Sequence, residues 1–151
     1  MKKILVIHGP NMNLLGRREP DIYGDKTLTE LNRELIEAGW HLGAEVEAFQ
    51  SNHEGDLIDR IHKAIDQGFH YLIVNAGGYT HTSVALHDAL RIARSMMLPF
   101  IEVHISNPNA REEYRKQSML SEIAEAIVSG LGVQGYHYAL EHASNALNTK
   151  H

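Results

Sequence analysis

No cysteine occurs anywhere in the chain. Disulfides, thiolate nucleophiles and cysteine-bound zinc are excluded together, and the composition suits a reducing, cytoplasmic compartment. Proline is scarce, with 4 in 151 residues, and 43% of the chain is hydrophobic against 22% charged. That balance excludes disordered and collagen-like classes. Long apolar runs are missing too. The opening MKKILVIHGPN joins a basic pair to a hydrophobic stretch, but His8 and Gly9 interrupt it before it reaches the length of a signal sequence or a membrane span. Nor is there an excess of positive charge. The net charge is -5, whereas a general nucleic-acid binder needs basic faces to neutralise phosphates. An anionic ligand would have to be attracted by local arginines.

Several catalytic signatures are also absent. Gly9 to Arg17 faintly resembles a phosphate-binding loop, yet six residues separate Gly9 from Gly16 where four are required, and Arg17 and Arg18 replace the lysine and the hydroxyl residue. The 11 histidines include no HExxH and no structural zinc spacing, and there is no EF-hand loop. His81, His87 and Asp88 come nearest to a metal-ligand set and keep a metal-assisted hydrolase open as an alternative. No GxSxG elbow is present. The lysines fall at the chain start, in a loop, in helices and in the tail, so none is placed as a buried Schiff-base amine.

What is present has the rhythm of one α/β domain spanning residues 1–151. A chain of this length buries ~68 to 70% of its unfolded surface. Lys3 to His8 is an apolar run without alternation, the pattern of a parallel strand covered on both faces. Gly9 to Lys26 has no period and is long for a connecting loop, as lids and binding loops are. Thr27 with Glu30 forms a capping box for a helix carrying Leu31, Leu35, Ile36 and Ala38 to about Gly43. Glu45 to Gln50 predicts a second strand. Ser51 with Glu54 forms a second capping box, for a helix carrying Leu57, Ile58, Ile61 and Ile65 and stopped at Gly68. A third strand ends near Asn75, and a helix from Val84 carries Leu86, Ala89, Leu90 and Ala93 before Pro99. Phe100 to Ser106 is the fourth strand, and NAREEYRKQS reads as a short charged helical piece. SEIAEAIVSGLG has helical spacing in Ile123 and Ile127, but the βα alternation predicts a fifth strand over Ala124 to Val128. Val133 to Leu147 predicts the closing helix, with a frayed NTKH tail. Five such units predict a doubly wound, flavodoxin-like, five-stranded parallel sheet in a three-layer α/β/α arrangement.

The chain is organised around LIVNAGGYTHTS, Leu72 to Ser83. Its glycines permit positive φ or a close ligand approach, Thr80, Thr82 and Ser83 supply hydroxyls, and Asn75 and His81 stand at the strand's carboxyl end, where α/β sheets place their ligands. A tight strand-to-helix turn with no ligand is the alternative. In FIEVHIS, Ile101, Val103 and Ile105 fall on one face and Glu102, His104 and Ser106 on the other. In a central strand, Glu102 must pair with His104, leaving a histidine held for acid or base work; an edge strand with a solvated polar face is the alternative. The long loop brings together Arg17, Arg18 and Tyr23. A phenol ionises near pH ~10, so a basic Tyr23 needs a permanent cation such as arginine beside it; loop arginines serving only solubility are the alternative. Arg111 and Arg115, spaced i, i+4, could grip a carboxylate or hydroxyls, or pair with Glu112 and Glu113.

Taken in order, HGPNMNLLGRREPDIYG, NAGGYTHTS, EVHISN, AREEYR and GLGVQGY resemble the type II 3-dehydroquinate dehydratase family over nearly the whole chain. The resemblance implies a flavodoxin-like fold, a dodecamer of four trimers, and no metal or organic cofactor. It also implies anti dehydration of 3-dehydroquinate to 3-dehydroshikimate through an enolate, in the shikimate pathway of aromatic amino-acid biosynthesis or in quinate breakdown. By motif, Tyr23 resembles the base, Arg18 the cation that holds its phenolate, and Asn11 the residue that steadies the enolate oxygen through a water. His104 resembles the acid, oriented by Asn75 and Glu102. Ile105 and Ser106 would bind the substrate carboxylate, His81 and Arg115 its ring hydroxyls, and Asp88 would reach in from a neighbouring subunit. Met12 replaces the family's frequent leucine at similar volume. No nucleic-acid or membrane partner is expected. The reading from a different class is a non-catalytic module holding a phosphorylated ligand at Gly77 and Gly78, which would need neither Tyr23 beside arginines nor a buried Glu102–His104 pair.

Overall fold

The structure, a computed structural model, describes residues 1–149 and the side chains through Ala146. Five strands, β1 (Lys2–His8), β2 (Ala44–Gln50), β3 (Tyr71–Asn75), β4 (Phe100–His104) and β5 (Ala126–Ser129), form one parallel sheet in the order β2-β1-β3-β4-β5. The order reverses between β1 and β3. That is the doubly wound, flavodoxin-like arrangement, whose ligands bind beyond the strand ends at the reversal.

The period of two divides the core between the two faces. Ile4, Val6, Tyr71, Ile73, Ile101 and Val103 pack against α2 (Leu28–His41) and α5 (Gln134–Thr149). Leu5, Ile7, Leu72, Val74 and Phe100 pack against α3 (Glu54–Asp66) and α4 (Val84–Ser95). Because inner strands are buried on both faces, their sequences are apolar without alternation. Glu102 projects from the Phe100 side of β4, and it is only 1% exposed. β4 lies between β3 and β5, so the edge-strand alternative is excluded.

Local sequence accounts for most element boundaries. Thr27 caps α2 by accepting the Glu30 N–H at 3.2 Å while its hydroxyl donates to the Glu30 carboxylate at 3.0 Å. The expected second capping box does not form. Ser51 donates to Asp56 and accepts from the His53 N–H, while Glu54 accepts from Ser83 across the gap to α4. The apolar stripes hold except at Ile36 and Val84, which face outward. The region with two readings is a strand, starting at Ala126 rather than Ala124. The charged piece after β4 is not α-helical but two 3-10 turns, Pro108–Ala110 and Glu113–Arg115, separated by an extended Arg111. The closing helix runs through Asn148 and Thr149, and Lys150 and His151 of the NTKH tail lie outside the described residues.

Candidate active site

A cleft of about 110 Å³ opens beyond the carboxyl ends of β1, β3 and β4. Its wall begins with the β1 loop. The Gly9 N–H donates to the Asn75 carbonyl at 2.7 Å, and a Cβ at Gly9 would stand 2.5 Å from the Ala76 backbone, so only glycine lets these two loops meet. Asn11 then takes a left-handed φ of 71°, which asparagine tolerates better than most residues, and its N–H is held by the Asn52 side chain at 2.9 Å. The loop continues into a four-residue helix, α1 (Pro20–Tyr23), none of whose residues is fully buried. At its end, the Tyr23 ring stacks against Arg18, with the guanidinium carbon 4.2 Å from the ring centroid, and Arg111 lies 5.4 Å away. Arg17 does not line the cleft.

From β3, Asn75 reaches the cleft floor and is almost wholly buried. Its carbonyl oxygen Oδ1 accepts the N–H of Gly77, whose φ is 57°, at 3.1 Å; its amide Nδ2 donates to the Tyr136 hydroxyl at 3.0 Å. Gly77 and Tyr136 thus hold the Asn75 amide in place at the cleft floor. His81 donates from Nδ1 to the Gln117 carbonyl at 2.7 Å, a bond to an acceptor that requires the proton on Nδ1. Ser83 caps α4 through the Leu86 N–H, and the loop before it forms a 3-10 turn, Gly77–His81.

The end of β4 and the residues just after it contribute His104, Ile105 and Ser106 to the lining. His104 Nε2 is paired with Glu102, which stands behind it, out of the lining. Burial opposes ionisation of Glu102, but the His104 bond and charge, with the Ser121 and Ser118 hydroxyls, outweigh it and hold the carboxyl below its ordinary value. Arg111 donates to the Ser106 hydroxyl at 3.2 Å, and Arg115 pairs with Glu112 at 2.7 Å. Of the substrate-binding and catalytic candidates, Asn11, Arg18, Tyr23, Asn75, His81, His104, Ile105, Ser106 and Arg115 converge on one cleft.

Asp88 does not. It lies on α4, where its carboxylate takes a 3.1 Å bond from His87, which also meets Glu122 at 3.2 Å. His81, His87 and Asp88 therefore do not assemble, and no group of three metal-ligating side chains exists among the described residues.

Sequence reasoning left several participants unassigned. The spacing of Arg111 suggests a grip on a carboxylate or hydroxyls, or pairing with Glu112 and Glu113, but gives no sign that it overlies Tyr23. Tyr136 sits in GLGVQGY without any local hint of its role; fully buried, it joins Asn75 to His8, whose Nδ1 lies 3.0 Å from the Tyr136 oxygen while its Nε2 donates to Asn32 Oδ1 at 2.8 Å. The hydroxyls of Ser118 and Ser121 were equally silent, because their partner is 16 or more residues away.

Comparison with known proteins agrees with this geometry. The model of the family described as Dehydroquinase class II matches residues 2–144. The chain is 52% identical over 142 residues to a 3-dehydroquinate dehydratase of Bordetella avium, covering 94% of this chain and 96% of that one. It is 50% identical over 145 residues to a catabolic 3-dehydroquinase of Debaryomyces hansenii, covering 96% and 99%. The crystal structure of type II dehydroquinase from Butyrivibrio crossotus superposes with a TM-score of 0.91 at 42% identity, over 94% of this chain and 97% of that one. With the family model spanning nearly the whole chain and the fold shared, this chain belongs to the class II dehydroquinase family.

Proposed function

We propose that the chain catalyses the anti dehydration of 3-dehydroquinate to 3-dehydroshikimate, with Tyr23 as base and His104 as acid. The observation that carries the reading is one cleft lined by a tyrosine under two guanidinium groups and by a histidine backed by a buried carboxylate. Tyr23 as phenolate takes the C2 proton, and Arg18 steadies its negative charge. The C–H electron pair passes into the ketone, forming an enolate whose oxygen is supported by Asn11 through a water. As the enolate collapses, C1=C2 forms and the C1 hydroxyl leaves. His104 protonates it as water from Nδ1, because Nε2 is committed to Glu102, whose negative charge balances the imidazolium.

Ile105 and Ser106, at the end of β4, would receive the substrate carboxylate, with Arg111 orienting the Ser106 hydroxyl. His81, its Nδ1 proton committed to Gln117, would meet a ring hydroxyl through Nε2, beside Arg115 and Asn75. Asp88 completes the site from another copy of the chain. Supporting that, it stands on the outer face of α4 four residues from each of the exposed Val84 and Ile92, with the exposed Met96 a further four residues on at the helix's C-cap. The reading includes a dodecamer of four trimers, no cofactor and a cytoplasmic setting. The same elimination serves aromatic biosynthesis and quinate breakdown, and nothing in the cleft depends on which.

The test is the ultraviolet absorbance of the conjugated enone formed from 3-dehydroquinate in the presence of chelator. Absorbance should grow with the wild-type protein. It should grow at least about 100-fold more slowly with a folded Tyr23→Phe variant, since a positioned base contributes that much. Near-normal turnover by Tyr23→Phe removes tyrosine as the base; no turnover by the folded wild type favours the ligand-holding module.

A further inference from the structure

Both histidines of the cleft are held from one five-residue segment, Gln117 to Ser121. The Gln117 carbonyl receives the His81 Nδ1–H. The Ser118 hydroxyl donates to Glu102, at 3.0 Å from Oε2 and 3.2 Å from Oε1, and the Ser121 hydroxyl donates to Oε1 at 2.8 Å. Between them, the Met119 N–H binds the Thr80 carbonyl at 2.8 Å, and Leu120 is wholly buried in the core on the α3 and α4 side.

The hydrogen-bonding inventory makes this arrangement directional. Ser118 Oγ accepts the N–H groups of Leu120 and Ser121 at 3.0 and 3.1 Å, so its acceptor capacity is used and its one proton goes to Glu102. Glu102 therefore receives donors from Ser118, Ser121 and His104. With the two serines attached to a closed turn, the carboxylate plane is fixed before His104 is considered. The imidazole must approach a defined lone pair in that plane, and this settles which way its opposite nitrogen points.

We infer that Ser118 and Ser121 are positioning residues for the proton donor: by fixing the Glu102 carboxylate they aim His104 Nδ1 into the cleft, while the same segment sets His81 through Gln117. The inference rests on His104 being the acid. It requires the serines to act on the chemical step rather than on substrate affinity, since neither lines the cleft.

Ser121→Ala is the primary test, because it removes a donor to Glu102 and leaves the Ser118 acceptor that closes the turn. Steady-state kinetics with 3-dehydroquinate should show kcat lowered about tenfold, as small misplacements of reacting groups do, with KM within about twofold. Ser121→Thr, which keeps the hydroxyl, should recover most of the rate. In a Glu102→Gln background the further loss from Ser121→Ala should shrink to under about twofold, because the two act through one another. Ser118→Ala should follow the same pattern, with a lower Tm from the opened turn. An unchanged kcat in folded Ser121→Ala, or equal losses in both backgrounds, overturns the inference. His104→Ala, assayed in parallel, separates the two levels. Normal turnover there removes the acid and this inference with it, whereas an inactive His104→Ala beside a fully active Ser121→Ala removes the positioning role alone.

Discussion

The His8 imidazole is enclosed between the sheet, α2 and α5, and every polar atom in its chain has a complement when it is neutral. Asn75 donates to Tyr136, Tyr136 donates to His8 Nδ1, and His8 Nε2 donates to Asn32. Protonating His8 would set two donors against each other at the Tyr136 oxygen. Burial accordingly pushes the imidazole down from 6.5 to about 4, against the pull of the Asn32 bond. In the unfolded chain His8 regains its ordinary affinity, so between those values the unfolded state binds the extra proton. Stability is then complete above pH ~6.5 and falls as the pH drops toward ~4, by on the order of 3 kcal/mol. Urea unfolding of the wild type and of His8→Asn at pH 7, 5.5 and 4 should show the wild type losing about that much more than the variant. A constant difference between the two proteins would mean that His8 titrates alike in both states. In sequence, His8 reads only as the residue that ends an apolar run, because its partners lie 24 and 128 positions away.

At the scale of elements, what was legible follows from periodicity and what was not follows from competition between partners. Strand faces, the apolar stripes and the Thr27 cap are local properties, and the folded chain keeps them. Ser51 and Glu54 match the capping pattern equally well, yet Asp56 and Ser83 offer them other partners and win. Likewise Arg111 and Arg115 have helical spacing, but the Asn107 side chain accepts the Asn109 N–H and closes a tight turn at Pro108, and Arg111 goes extended. Both arginines still reach the cleft, because the chain winds along its rim. The close approach of the β1 and β3 loops permits a direct test. Gly9→Ala should force those loops apart, costing about 3 kcal/mol, near the upper end of overpacking penalties, and lowering turnover with it. Thermal unfolding and the enone assay measure the two effects; a variant with wild-type Tm would show that the loops can separate freely.

For the whole molecule, the sequence motifs place nine side chains around one cleft that a single chain builds, whereas Asp88 stands outside it. If Asp88 serves a neighbour, inactive variants should complement. Asp88→Asn and Tyr23→Phe homo-oligomers should each be impaired. Co-refolded mixtures should recover activity, because some clefts combine an intact Tyr23 with a partner's intact Asp88. Mixtures no more active than the mean of their parents would place Asp88 outside the reaction. Family resemblance pointed to Asp88 although no local pattern could, since the contact it would make belongs to the assembly.

Tyr23 and His104 are also attached to very different parts of the molecule. His104 ends an inner strand, paired with β3 on one side and β5 on the other, so displacing it means disturbing the core. Tyr23 ends a single helical turn with no fully buried residue, entered through a left-handed Glu19. Local openings in folded proteins begin at such sparsely anchored pieces. Two thresholds are therefore expected rather than one: in mild denaturant or on warming, Tyr23 should leave the cleft while the sheet is still whole, and dilution or cooling should return it without refolding the domain.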